Sequence, residues 1–463
     1  MVLHPDKCRV LVKRRSPDGA IIPLSRPGVQ VYGKELSAVS DINPMQYLGY
    51  FFDTHGVRKP NLTNYSVWLQ RLAALPLKPL QKMTLLRIHL LPRLLHFLMS
   101  PRTPATTLKN IDKVTRHYVK KMLHLHLHTP DNLIHAPLRD GGLGVTQMAI
   151  SIPTILLRRM NNLLGRCQSD GVLKAALSTA RVEGLKKKLS EVVDRYPPQY
   201  FRSEMEEGAS TKGFQYAAQD GASRAWLTTC PKGWSGADWV RAVHLRTANL
   251  PSLGIMSNPK ELRECRGGCG KMETTCHILQ ACQVTHDSRI ARHNNICAKL
   301  AAHCRAQGWE VAEEPHIRHQ DGTLYKPDLI VFQSPSRTVV CDVQVSWETN
   351  ESMAEIWTRK RLVYDNVKFR QAARKKWPTL EMTFLLCVVG ARGIWPGCNK
   401  LTEDALRIKA HVKRSCVSAV LKWGCSTHRS FMKRVWKRRE AQRFRRGAAQ
   451  YLVFDVSISG KER

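Results

Sequence analysis

Residues 326–348 read "KPDLIVFQSPSRTVVCDVQVSWE". Two apolar runs, "LIVF" and "TVVCDVQV", flank the turn residues "QSPSR", the pattern of two strands joined in a hairpin. Asp328 follows a proline at the start of the first strand, and Asp342 sits on the second. A hairpin of this length brings both carboxylates to one end of a sheet. Two such groups can hold a hard divalent cation against a phosphodiester, where it polarises the phosphate and lowers the pKa of an attacking water. Spacing alone leaves a second reading open, in which Asp328 caps a strand and Asp342 is a surface acid.

Such chemistry also calls for a lysine to orient water or neutralise charge. The usual place, two residues after the second acid, holds Gln344. The best replacement is Lys360 in "EIWTRKRLVYDN", which reads as a helix with Tyr364 one turn further along the same face. The stretch "TFLLCVVG" beyond it reads as a buried strand.

Upstream, "ECRGGCGKMETTCHILQACQVTHDSRIARHN" (264–294) concentrates cysteines and histidines. Cys265, Cys269, His277 and Cys282 have the spacing of four ligands drawn from a tight loop and a short helix, as tetrahedral zinc requires. Gly267 and Gly268 allow the turn. The site looks closed, hence structural. Cys276 is a spare thiol and a candidate substitute ligand, while His286 and His293 read as structural or backbone-contacting. The alternative is a set of free thiols in a small core.

The 463 residues carry 73 Lys+Arg against 37 Asp+Glu, a formal charge of +36, and nucleic acid is the commonest partner for such an excess. No run of 18 apolar residues is present, which argues against a membrane span. The N-terminus lacks the apolar region of a signal peptide. The 14 cysteines are scattered through a long chain, so reduced thiols are expected, with any cluster read as metal-binding.

Toward the N-terminus, "KCRVLVKRR", "GVQVYGKEL" and "MQYLGYFFDTHG" each read as a short strand. Residues 64–128 are helical in character, broken by Pro76, Pro79 and Pro92. One amphipathic helix there presents Leu108, Ile111, Val114, Tyr118 and Met122. His124, His126 and His128 alternate but follow a helical pattern and are read as structural. Gly141, Gly142 and Gly144 are read as a tight turn, since no Lys-Ser/Thr follows. Residues 190–235 look polar and irregular. The basic tail interleaves Trp436 and Phe444 with Arg and Lys, as a phosphate-tracking surface or a nuclear-import signal would; a solvated helix face is the alternative.

The order of "AVHLRTANLPS", the Cys/His cluster, "KPDL", "DVQV" and "RKRLVY" resembles the C-terminal half of the Pol protein of site-specific non-LTR retrotransposons, closest to the R-two clade that inserts into ribosomal RNA genes. "YLGYFF" resembles the last palm motif of a reverse transcriptase. "LHPDKC" resembles the segment after its active site, and "QKMTLLRIHLLPRLLHFL" with "HAPLRDGGLGV" resembles the thumb and the region after it.

The resemblance implies a multidomain α+β protein. Its parts are the end of a reverse-transcriptase palm (1–60), a helical thumb and following region (61–185), a linker (186–255), a small CCHC zinc knuckle (256–300), an α/β restriction-like endonuclease (301–430) and a basic tail (431–463). It implies a metal-dependent nuclease that nicks target DNA to prime reverse transcription of the element's RNA. Asp328, Asp342, Lys360 and Tyr364 match the nuclease motif, with Mg2+ or Mn2+ at the two acids, and Cys265, Cys269, His277 and Cys282 match the zinc ligands. No adjacent aspartate pair of a polymerase palm occurs, so the chain is expected to begin past that active site and not to polymerise alone. The alternative is a nucleic-acid clamp with an inactive nuclease. Target DNA (ribosomal RNA genes being the candidate) and element RNA are the expected partners. No membrane is expected, the expected location is the nucleus, and self-association is left open.

Overall fold

The computed structural model describes residues 4–454 except 5, 7, 20, 25–27, 48, 60–61, 101–102, 128, 167–170, 209–210, 255–262, 349–351 and 378–380, and describes the side chains of the last helix as far as Trp436. Two compact units emerge. The first is built from residues 1–77, 82–119 and 146–198, the second from 78–81, 120–145 and 199–463. No helix among the described residues is long and apolar enough to cross a membrane.

The first unit begins with short strands. Met45–Tyr47, Tyr50–Asp53 and Gly56–Val57 form a three-stranded antiparallel sheet. "GVQVYGKEL", expected as one strand, is a hairpin of Gln30–Val31 with Lys34–Glu35. Tyr32 and Gly33 both take positive φ (49° and 73°), the backbone that reverses a two-residue hairpin.

Helices follow. Pro76 lies just beyond the end of Thr63–Ala74, and Pro79 opens Pro79–Leu85, each where a missing N–H costs little. Pro92 was expected to break the chain and does not. A π-helical turn at Leu86–Leu90 precedes it and leads directly into Leu91–Leu98. The wider turn accommodates the ring and the lost donor that an α-helical ladder would not.

The helix Ala105–Met122 buries Leu108, Ile111, Asp112, Thr115, Val119 and Met122, whereas Val114 and Tyr118 are only half-buried, so its inward face is rotated from the expected one. Asp112 explains the rotation. Its carboxylate accepts from the backbone N–H groups of Met148 (2.7 Å) and Ala149 (2.9 Å), satisfying the start of Met148–Arg166.

In the second unit, the helices α1 (Gly236–Arg246), α2 (Thr275–Gln280) and α3 (His286–Arg305) lead into a mixed sheet. Its strands are β1 (Glu310–Glu313), β2 (Leu329–Ser334), β3 (Arg337–Ser346) and, after the crossover helices α4 (Met353–Tyr364) and α5 (Val367–Lys376), β4 (Glu381–Gly390). The order is β1-β2-β3-β4, antiparallel except for the β3–β4 pair. β3 and β4 are buried almost throughout, as strands covered on both faces must be. The long helix α6 (Ala410–Phe454) closes the unit.

The stretch expected to be a linker, 186–255, carries packed structure. Phe214, Trp226, Trp234 and Trp239 are buried, and Arg246 of "AVHLRTANLPS" is buried beside the rings of Phe214 (5.7 Å) and Trp226 (5.5 Å). Arg392 lies over Phe214 as well, at 4.7 Å, and pairs with Glu348 at 2.9 Å, both side chains being almost wholly buried. Polar composition misled here because the charged groups meet one another and aromatic faces inside the fold. The glycine stretch forms a turn, as expected: Gly141 and Gly144 have positive φ, and a Cβ at Gly142 would collide with Ala136. His128 and Phe444 lie outside the described side chains.

Candidate nuclease and metal-binding sites

In the β2–β3 hairpin Leu329 pairs with Cys341, so the next opposed pair toward the open end is Asp328 with Asp342. The two carboxyls face each other closely enough for each to shift the titration of the other. Asp328 Oδ2 also accepts from the backbone N–H of Val343 at 2.6 Å and meets His293 Nε2 at 3.2 Å. Burial, then the charge of Asp328, pushes Asp342 up to about 8. Asp328 is held below the usual carboxylate range: burial opposes this, but His293, Asp342 and the Val343 N–H outweigh it. Hydrogen bonding to Asp328 is the main cause that raises His293 to about 11. One carboxylate is therefore committed to the anion, while its neighbour retains a proton in the absence of a cation. A divalent ion would relieve that crowding, which is how a carboxylate pair favours a metal.

Lys360 projects from α4 with Nζ 3.9 Å from Asp342 Oδ2. The Tyr364 hydroxyl donates to the Lys326 carbonyl at 2.9 Å, tying the end of α4 to the strand that delivers Asp328. α4 starts at a capping box between Ser352 and Glu355 and is anchored by Trp357 Nε1 donating to the Leu386 carbonyl at 2.8 Å. The four residues read from sequence as a nuclease motif thus lie at one end of the sheet. His293, read as structural or backbone-contacting, does bond the backbone, donating from Nε2 to the Val343 carbonyl at 3.0 Å, and it also joins the carboxylates from α3. Thirty-five residues separate it from Asp328, and no local pattern marks it. With Cys297 it forms a second potential ligand group that includes Asp328.

The donor atoms of Cys265, Cys269, His277 and Cys282 all lie within 4.8 Å of one another. Cys265 and Cys269 have their sulfurs 3.8 and 3.5 Å from that of Cys282. Thiolates around a tetrahedral ion at about 2.3 Å stand roughly 3.8 Å apart, so these donors fit. His277 Nε2 is buried with no hydrogen-bond partner, as an imidazole awaiting a cation would be. Burial lowers His277 and so keeps it neutral, the ligating form, and pushes Cys282 up to about 12.

The loop geometry is specific. Gly268 and Gly270 take positive φ, and a Cβ on Gly267 would lie 3.2 and 3.3 Å from the sulfurs of Cys265 and Cys282. Thr274 caps α2 by accepting from the His277 N–H at 3.0 Å, and fully buried Glu273 clamps Arg266 in a bidentate pair. Cys276 lies outside the group of four. This cluster could hold a metal ion.

No family profile matches the chain. Among curated proteins it is similar to a "Retrovirus-related Pol polyprotein from type-1 retrotransposable element R2" of Popillia japonica, with 45% identity over 93% of this chain and 60% of that protein. A second Popillia japonica protein of the same name is 42% identical over 82% of this chain and 85% of its own length. The "Retrovirus-related Pol polyprotein from type-2 retrotransposable element R2DM" of Drosophila melanogaster is 28% identical over 85% of this chain and 38% of that protein. The chain thus spans three-fifths of the first relative and a smaller share of the fly protein. Identity of this level along nearly the whole sequence places it: the chain belongs to the Pol polyproteins of the R2 non-LTR retrotransposable elements.

Proposed function

We propose that residues 301–430 act as a metal-dependent endonuclease that nicks target DNA, and that the 3′-hydroxyl so exposed primes reverse transcription of the element's RNA. The observation that carries the reading is the placement of Asp328 opposite Asp342 on adjacent strands, with Lys360 3.9 Å from the second acid. A divalent cation held by the two aspartates, Mg2+ or Mn2+, would supply charge neutralisation of the phosphodiester and an activated water. Lys360 adds a positive charge beside Asp342, where negative charge on the phosphate develops. Tyr364 holds α4 against the Lys326 carbonyl and so keeps Lys360 in reach. In the same reading Cys265, Cys269, His277 and Cys282 hold a structural zinc, and the +36 charge serves target DNA and element RNA, which puts the protein's work in the nucleus.

The test is nicking of supercoiled plasmid with Mg2+ or Mn2+. Asp342→Ala is expected to abolish nicking and leave duplex binding largely intact, because it removes a cation ligand and no phosphate contact. Equal loss of both overturns the assignment. Cys269→Ser is expected to lose bound zinc and weaken binding; retention of one zinc per chain refutes that ligand set.

One observation favours a second reading, a clamp with an inactive nuclease. His293 already occupies Asp328 Oδ2, where a cation would compete with it. Tight, salt-sensitive binding with no metal-dependent nicking would decide for the clamp.

A further inference from the structure

No Asp or Glu occurs between Ala410 and Arg439. Within that stretch α6 buries Cys416, Val420, Phe431 and Val435 on one face. The opposite face carries the cations Arg414, Lys422, Arg429 and Lys433, the hydroxyls Ser415, Ser418 and Ser426, and finally Trp436. Steps of three and four residues keep them in one stripe, and Arg414 to Trp436 spans about 33 Å at the helical rise. Lys413 is not part of the stripe: it is paired with Asp220 and Glu403.

Two grooves run along the stripe. The first, about 890 Å3, is walled across from α6 by Thr228, Thr229, Lys232, Asn295 and Lys299. The second, about 1050 Å3, has an apolar lining that includes Val240, Leu250, Pro251 and Met432, with Arg241, Arg429 and Lys433 around it and Trp436 at its edge. Among the described residues, no carboxylate lines either groove. Asp238 lies beside the stripe, with Oδ1 3.9 Å from Arg429 while its Oδ2 accepts from the Ser235 cap of α1, so it offsets part of one cation of the row. Trp436 is 64% exposed.

We propose that these grooves form one track for a single-stranded nucleic acid, whose phosphates follow the cations and hydroxyls of α6 and one of whose bases stacks on Trp436. Charge complementarity selects a polyanion. The apolar lining and the exposed indole select a single strand, because a duplex keeps its base faces inside, whereas an unpaired base offers a π-face to an aromatic ring. The first groove and the carboxylate pair share one helix as a wall. Asn295 and Lys299 line the first groove from the helix α3 whose His293 meets Asp328. The inference rests on the proposed reading only in that the chain handles nucleic acid; it does not need the nuclease to be active.

The experiment measures equilibrium binding of the full chain to a fluorescent oligothymidylate of about 20 nucleotides and to a duplex of equal length, each over a salt series. Trp436→Ala is expected to weaken oligothymidylate binding about tenfold, with duplex affinity unchanged, and Trp436→Phe to restore most of the loss. The triple variant Lys422→Gln/Arg429→Gln/Lys433→Gln is expected to make the logarithmic salt slope for the single strand shallower by about 2. Trp436→Ala without effect, or weakening both ligands equally, overturns the base-stacking site, and an unchanged slope in the triple variant overturns the phosphate track. Plasmid nicking by the unsubstituted chain is scored alongside. Nicking without oligothymidylate binding sinks the track alone; oligothymidylate binding without nicking sinks the nuclease reading alone.

Discussion

Asp112 shows how one buried carboxyl can steer a helix. Burial is the main cause that raises it to about 6, against the two backbone N–H groups that favour its anion. A carboxyl raised in the folded state holds a proton that the unfolded chain has already released above its ordinary value of 3.8. The resulting stabilisation is full below that value and is lost as pH rises through about 6. Unfolding by urea is expected to show stability falling by on the order of 1–3 kcal/mol across this window from this group. Asp112→Asn, which keeps an acceptor without the charge, should flatten the fall; an unchanged pH profile in the variant would contradict the account. Asp328 and Asp342 were legible from sequence because strand alternation and a short turn tell where two residues of one hairpin meet. His293 was not, because its approach to Asp328 depends on how α3 packs on the sheet.

At the scale of elements, the Cys/His loop is the most tightly specified piece. The Cys/His spacing and the glycines could be read directly, since this cluster is a local structure whose donor atoms lie within a few turns of chain. Gly267→Ala would push a methyl against Val284 (2.9 Å) and two ligand sulfurs. On the proposed zinc reading it is expected to lower zinc affinity at least tenfold while Gly268→Asn, at a positive φ that Asn tolerates, costs less. Competition with a colorimetric chelator reads both, and equal affinities would remove the steric argument. α4 depends on its capping box, so Ser352→Ala should cost about 1 kcal/mol of stability and, on the proposed nuclease reading, reduce nicking through a less well placed Lys360. An unaltered urea midpoint would show that the cap contributes nothing. Pro92 marks the limit of element-level rules. The sequence says that the α ladder must fail there, but whether the chain breaks or widens into a π turn is settled by the apolar face that Leu86, Leu91, Leu94 and Leu98 keep buried together.

Across the second unit, buried charge joins segments far apart in sequence. Glu348 and Arg392 pair at 2.9 Å, and Arg392 stacks between Phe214 and Trp347 at 4.7 and 5.0 Å. Glu348→Ala leaves a buried guanidinium without its partner and is expected to cost about 3–5 kcal/mol, whereas removing both charges with apolar replacements costs less. A urea midpoint for Glu348→Ala within error of the unsubstituted protein would show that the pair is not structural.

Composition, strand alternation and residue spacing were sufficient for the charge excess, the carboxylate hairpin and the Cys/His cluster, because each is a property of a short window or of a simple sum of charges. Only the tertiary structure decided that Phe214, Trp226, Trp234 and Trp239 of the expected linker are buried, that His293 reaches the carboxylates, and that α6 presents an acid-free face along two grooves. These depend on long-range burial, where the cost of dehydrating an arginine or histidine is offset by a partner that no local pattern of residues can name.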